Sequence, residues 1–257
     1  MLTAITRAVS SSLVNCELSF IARNPIDLNK AREQHHAYEQ LLEKLRARVI
    51  SLPEEKDMPD SMFVEDAAMV LDEVAVIFPL GTESRRREAV SMAAELEKYR
   101  KLAYVKLPGT LEGGDVLQIG KKVFVGITRR SNSEGIRQLA VILAAHGYEV
   151  TAIPVTGCLH LKSAVTYVGR NTLLANRAWF EPERFVGFEW VDVDPLEPHA
   201  ANALQIADAI ILPQSFPHTK KLMEARGLYV ISLDISELQK AESGLTCSSL
   251  IFQGRWS

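Results

Sequence analysis

Apolar positions along this chain fall into short runs, each followed by a polar loop and then a helix-length stretch with one apolar face. Leu2, Ala4 and Ile5, then Ala8 and Val9, form a first alternation broken by Arg7. The polar stretch from Ser10 to Asn24 reads as a loop. Asp27 or Asn29 can cap a helix from about Lys30 to Ala47, with Ala37, Leu41, Leu45 and Tyr38 on its apolar side. His35 and His36 on that helix read as surface or capping side chains. Val49, Ile50 and Leu52 predict a strand that stops at Pro53.

From Phe63 onward a unit recurs. Ala67 to Leu71 and Val74 to Phe78 predict two strands, and a glycine loop, Gly81 to Ser84, carries Arg85, Arg86 and Arg87 into a helix. The helix runs from about Arg86 to Tyr99, with Val90, Ala94 and Leu96 inward, and Ala103 to Leu107 closes the unit. The same order returns with strands Val116 to Ile119 and Val123 to Ile127, a helix from Ser133 to His146, and Val150 to Val155. A third unit holds strands Ala164 to Val168 and Thr172 to Ala175, with a short helix near Pro182. A fourth runs through Ile206, Ile210 to Leu212, a helix from His218 to Arg226, and Tyr229 to Leu233. Leu250 to Phe252 would pair with the first strand, so the two ends of the chain complete one unit together. The head residues Asp66, Glu112, His160, Asn202 and Cys247 recur about every forty-five positions. Units that cannot bury their apolar faces alone gain a common core by closing around an axis. The expected fold is therefore α/β, a five-bladed pseudo-symmetric propeller of ββαβ modules, with residues 1–257 as one domain whose five heads meet at one end of the axis.

Composition narrows the function classes. The 257 residues are 47% apolar and 24% charged with a net charge of -3, so a basic nucleic-acid footprint is absent and the size suits a substantial core. No apolar run approaches the length that spans a bilayer, and the amino terminus lacks a secretory pattern. Cys16, Cys158 and Cys247 form an odd, widely spaced set with no metal-binding spacing, which fits a reducing cytoplasm. The tryptophans Trp179, Trp190 and Trp256 are scattered and make no stacking platform.

If the heads converge, Cys247 and His160 form a nucleophile and acid/base pair. Asp66 and Glu112 would repel unless a cation lay between them, and a planar guanidinium is the natural guest for carboxylates. Arg85 and Arg130, from equivalent loops of neighbouring units, could bind a carboxylate. A ligand with a guanidinium at one end and a carboxylate at the other is arginine or a derivative. Arg86 and Arg87 compete with Arg85, and Arg129 with Arg130, as ordinary solvated helix starts.

Six segments carry a family resemblance: Phe63-Val64-Glu65-Asp66, Gly81 to Arg86, Leu111-Glu112-Gly113-Gly114-Asp115, Gly126 to Asn132, Leu159 to Ser163, and Leu245-Thr246-Cys247-Ser248. Together they resemble the dimethylarginine dimethylaminohydrolases, of the guanidine-modifying pentein superfamily, over essentially the whole chain. The resemblance implies hydrolysis of dimethylarginine or monomethylarginine to citrulline and an amine, with no cofactor and no metal. It implies Cys247 as nucleophile, His160 as acid and base, and Glu112 as the acidic catalytic residue. Asp66 would hold the guanidinium with Glu112, and Arg85 and Arg130 the carboxylate. Asp60 and Leu18 would hold the amino-acid end, Phe63 would wall the guanidinium, and Glu65 would orient its neighbours. The partner is then a small molecule, not nucleic acid or membrane, and a homodimer is compatible. Two features depart from the pattern: a loosely matching loop from Ser10 to Asn24, and Ser248 where some members carry a second cysteine. An arginine deiminase is the near alternative, although deiminases carry His-Leu-Asp where this chain has His160-Leu161-Lys162. A non-catalytic binding protein on the same fold is the distant one.

Overall fold

The computed structural model describes residues 1–254, which leaves Trp256 outside the described residues. Among the described residues, fifteen strands fall into five three-stranded sheets, all wired alike. The first sheet joins β1 (Leu2–Arg7) to β2 (Arg48–Leu52) and to the last strand, β15 (Leu250–Gln253). The second holds β3 (Ala68–Val70), β4 (Ala75–Ile77) and β5 (Leu102–Tyr104), the third β6 (Val116–Ile119), β7 (Lys122–Ile127) and β8 (Glu149–Pro154). The fourth holds β9 (Val165–Tyr167), β10 (Thr172–Ala175) and β11 (Glu189–Asp192), the fifth β12 (Leu204–Ile206), β13 (Ala209–Pro213) and β14 (Tyr229–Leu233).

In every sheet the middle strand pairs antiparallel with an inner strand and parallel with an outer one, as in Met69↔Val76 and Val76↔Ala103. A parallel return needs a long crossover, and a helix usually supplies it. Here α1 (Leu28–Lys44), α2 (Glu88–Leu96), α3 (Ser133–Ala144) and, later, α5 (Pro217–Glu224) do so; the single turn α4 (Leu161–Ala164) falls between α3 and α5. Asp27 caps α1 by accepting from the N–H groups of Asn29 and Lys30, and Asn132 caps α3 through Gly135 N–H.

The β1–β15 pair sets Ala4 opposite Ile251 and Ile5 opposite Leu250, so the chain ends do complete one unit. Inner strands β3, β6, β9, β12 and β15 all line one cavity of about 290 Å³, which places them around a common axis.

Three expectations are corrected. The inward stripe of α1 is Ala31, Gln34, His35, Tyr38 and Leu42, while Ala37 is exposed and His35, expected at the surface, is buried. The turn before α2 delays its start to Glu88, which rotates its phase: Glu88, Met92, Glu95 and Leu96 face inward, and Val90 is 72% exposed and Ala94 exposed. The region near Pro182 is a 3-10 turn, and a strand absent from the reading above, β11, follows it. There the crossover is covered by aromatic packing instead of a helix, with Phe124 stacked on Phe185 at 4.2 Å and Phe180 edge-on to Phe185 at 5.4 Å.

Candidate active site

Each of four heads lies in or just before a short turn that feeds an inner strand. Asp66 lies in the turn Val64–Ala67 before β3, and Glu112 precedes the turn Gly113–Asp115 before β6. His160 precedes α4 and β9, and Cys247 lies in the turn Thr246–Ser248 before β15. Equivalent turns on equivalent blades bring their side chains to one end of the axis.

The centre is a buried cluster of charge. His160 Nε2 lies 2.7 Å from Glu112 Oε2. Donor atoms of Asp66, Glu112 and His160 all fall within 4.8 Å of one another. Those three could ligate a metal ion, but two arginines already balance the acids. Arg85 makes a two-bonded contact with Glu88, at 3.0 and 2.9 Å, and donates to Asp66 Oδ2 at 3.0 Å. Arg130 donates to Glu112 Oε1 at 3.2 Å and to Ser19 Oγ at 3.2 Å. Both arginines are buried, whereas Arg129 and Arg87 are exposed and Arg86 is half-buried and donates to the Leu80 carbonyl, so burial singles out Arg85 and Arg130 among the competing guanidinium groups. A planar cation with several N–H donors suits this acid pair better than a metal that demands its own geometry.

Electrostatics follow from burial and neighbours. For His160 burial opposes the charged form, but Asp66, Asp115 and Glu112 outweigh it and raise the imidazole to about 9. Glu112 is driven the other way: against burial, the His160 hydrogen bond and the charges of Arg85, His160 and Arg130 hold its carboxyl well below the usual range. Cys247 is half-buried, and its thiol is pushed up to about 12 by burial and by Glu65 and Asp66. The Gly244 N–H, 3.4 Å from the sulfur, and the Lys162 ammonium work against that rise.

The other candidate residues surround this centre. Asp60 is buried and accepts from the Glu17 N–H at 3.1 Å, with burial raising its carboxyl against the pull of Arg85. Phe63 is buried in an apolar cluster with Met62 and Leu245, and Leu18 and Cys247 pack against the same cluster. Glu65 pairs with Lys162 Nζ and accepts from Thr246 Oγ1 at 2.7 Å, so it touches the residue next to the thiol. Cys16 is fully buried, and Cys158 is buried with its thiol donating to the His160 carbonyl at 3.3 Å.

Sequence reasoning passed over several groups. Lys162, paired with Glu65, supplies a cation whose charge acts on the thiol and which the reading above left out. Asp115 ties the His160 loop to its neighbours: Oδ1 accepts from Leu161 N–H at 2.9 Å, and Oδ2 from Thr128 and Ser131 hydroxyls at 2.7 and 2.6 Å. Glu242 gathers the N–H groups of Ser19, Phe20 and Ile21, pinning the loop over the site from the far side. Only the Gly-Gly-Asp spelling around Asp115 was visible beforehand; nothing local marks Glu242.

Comparison with known proteins identifies the family of the chain. The profile of the family described as arginine deiminase matches residues 30–196. An N(G),N(G)-dimethylarginine dimethylaminohydrolase of Pseudomonas aeruginosa is 33% identical over 250 residues, covering 96% of this chain and 98% of that protein. Its namesake from Streptomyces coelicolor is 34% identical over 249 residues, covering 96% and 95%. A solved structure of the Pseudomonas enzyme, a cysteine-to-serine variant in complex with citrulline, superposes with a TM-score of 0.93 at 32% identity, over 98% of this chain and all of that one.

Proposed function

Since the chain belongs to the dimethylarginine dimethylaminohydrolase family, within the wider arginine deiminase group, we propose that it hydrolyses ω-N-methylated arginine to citrulline and a methylamine. The observation that carries this reading is the buried His160–Glu112 contact of 2.7 Å set beside Asp66, in the same ring of turns as Cys247.

In this reading Asp66 and Glu112 receive the edges of the substrate guanidinium. That cation offsets the negative field of Asp66 and Glu65, so the Cys247 thiol releases its proton to solvent on binding. The thiolate adds to the guanidinium carbon and forms a C–S bond. His160, protonated below about pH 9, gives its proton to the departing nitrogen as the C–N bond breaks. Dimethylamine leaves an S-alkylthiouronium on Cys247. The now neutral imidazole takes a proton from water, the hydroxide adds to the same carbon, and the C–S bond breaks to release citrulline and regenerate thiolate. Glu112 keeps the ring oriented and favours the imidazolium in both halves. Arg85 and Arg130 retain N–H donors beyond those spent on acids and serve the substrate carboxylate, with Asp60 and Leu18 at the amino-acid end. Phe63 walls the guanidinium, and residues 1–257 act as one domain.

A second reading, deimination of unmethylated arginine, is favoured by the family profile over residues 30–196. A pocket that distinguishes methyl groups separates such substrates by only about 1–3 kcal/mol. Citrulline release from dimethylarginine and from arginine, by wild type and Cys247→Ser, decides between them. Faster turnover of arginine would favour the deiminase, and unchanged release by Cys247→Ser would rule out the thiol mechanism.

A further inference from the structure

Four blade heads take part in the chemistry above, and Asn202, the head that precedes β12 in the fifth sheet, does not. Yet Asn202 is 8% exposed and spends its amide entirely on the loops that carry the reacting groups. Its Oδ1 accepts from the Thr246 N–H at 3.1 Å. Its Nδ2 donates to the Lys162 carbonyl and to Thr246 Oγ1, both at 3.1 Å. The orientation of the amide is forced, because a backbone N–H needs the oxygen and a backbone carbonyl needs the NH₂.

The Thr246 hydroxyl, having accepted from Asn202, donates onward to Glu65 Oε2 at 2.7 Å, and Lys162 Nζ closes the circuit on Glu65 Oε1. The result is a ring of hydrogen bonds running Asn202, Thr246, Glu65, Lys162 and back to Asn202. It crosses four of the blades in space, and within it the Asn202 amide uses its oxygen and both N–H donors, while each Glu65 oxygen accepts one bond. A second contact is steric. A Cβ on Gly244 would lie 2.3 Å from Asn202 Cγ and 2.4 Å from its Oδ1, so the amide packs directly on the residue whose N–H meets Cys247 Sγ at 3.4 Å.

We propose that Asn202 is the positioning residue of the nucleophile: it clamps the Cys247 turn from both sides, through Thr246 and Gly244, and holds the sulfur in line with the guanidinium carbon. The inference rests on the hydrolase reading for its substrate but not for its geometry. Aspartate cannot replace the amide, since it offers no donor to the Lys162 carbonyl, and alanine opens the ring. Misplacing a reacting atom by about an ångström costs roughly 10²-fold in rate without weakening ground-state binding. The acids and arginines that hold the substrate lie on other blades, so KM should be spared.

The test uses Asn202→Ala, Thr246→Val, Thr246→Ser and the double variant Asn202→Ala/Thr246→Val, assayed for citrulline release from dimethylarginine and for the rate of Cys247 labelling by chloroacetamidine. Expected are kcat losses of about 10- to 100-fold for Asn202→Ala and Thr246→Val, with KM within about threefold. Labelling should slow in parallel. The double variant should be no slower than the worse single one, because a ring broken at two points is broken once. Thr246→Ser keeps the hydroxyl and should stay within about threefold of wild type. The proposal is overturned if folded Asn202→Ala keeps its kcat, if the two losses multiply in the double variant, or if Thr246→Ser is as slow as Thr246→Val. Should Asn202→Ala fail to fold, the serine and valine pair at Thr246 decides alone. Should wild type label at Cys247 yet release no citrulline, the hydrolase reading fails while the labelling rates still judge the clamp.

Discussion

The imidazole of His160 and the carboxylate of Glu112 stand 2.7 Å apart, although 48 residues separate them in the chain. Their charges stabilise each other in a region that excludes water, which is why the acid stays ionised and the imidazole stays protonated at neutral pH.

Replacing that acid by its amide tests the pairing. A raised pKa means that the protonated imidazole is present below about 9 and lost as pH rises through it. Glu112→Gln removes one of the charges that raise it, so the alkaline limb of the kcat profile moves to lower pH, and kcat at neutral pH falls about 100-fold or more. An unmoved alkaline limb would assign it to another group.

The thiol makes the opposite demand. With Cys247 pushed up to about 12, alkylation by neutral iodoacetamide should rise with pH throughout the accessible range. An inert alkylguanidinium in the site should move the midpoint down, because it counters Asp66 and Glu65. Identical midpoints with and without the cation would refute substrate-assisted ionisation.

Gly114 leaves the imidazole its space. A Cβ there would lie 2.5 Å from His160 Nδ1 and 3.1 Å from Asp66 Oδ1, so Gly114→Ala must displace the ring. The expected loss in kcat/KM is about 100-fold, in a protein that keeps its fold by circular dichroism. Near-normal turnover would mean that the ring has room to shift at no cost.

Adjacent arginines separate by burial. Arg129 is exposed and Arg130 is buried against Glu112 and Ser19. Losing a hydrogen bond to a charged group costs about 1.5–3 kcal/mol, so Arg130→Ala should raise KM for dimethylarginine by roughly 10- to 100-fold. Arg129→Ala should change it by less than about twofold. Equal effects would remove the carboxylate role from Arg130.

Glu242 holds the loop over the site. It adopts a left-handed backbone, φ 57°, and its carboxylate accepts from three consecutive N–H groups, Ser19 to Ile21. Glu242→Ala should free that loop, seen as faster amide exchange at Ser19 to Ile21, and raise KM by up to about tenfold. Unchanged exchange would show that other contacts suffice, such as Arg23 on the Val14 and Cys16 carbonyls.

The strand rhythm and the spacing of head residues were legible because both are local: alternation, turn residues and a repeat near forty-five positions survive without any partner. The pairing of β1 with β15 followed from the same rhythm. Helix faces were less legible. On α2 the inward positions include Glu88 and Glu95, which no apolar pattern marks, because Glu88 is buried by pairing with Arg85. His35 on α1 was misplaced for a like reason: polarity alone put it outside, while the inward stripe running through Ala31, Tyr38 and Leu42 buries it.

By itself, then, the order of residues determined the repeated units, the identities of the thiol, imidazole, acids and arginines, and the kind of cation they suit. Only the tertiary structure decided which of two neighbouring arginines turns inward, that Lys162 pairs with the Glu65 that also holds Thr246, and that Asn202 and Glu242 hold the two loops around the thiol. Those facts depend on contacts between residues 18 to 223 positions apart, and a side chain carries no local trace of a partner that only closure of the ring delivers.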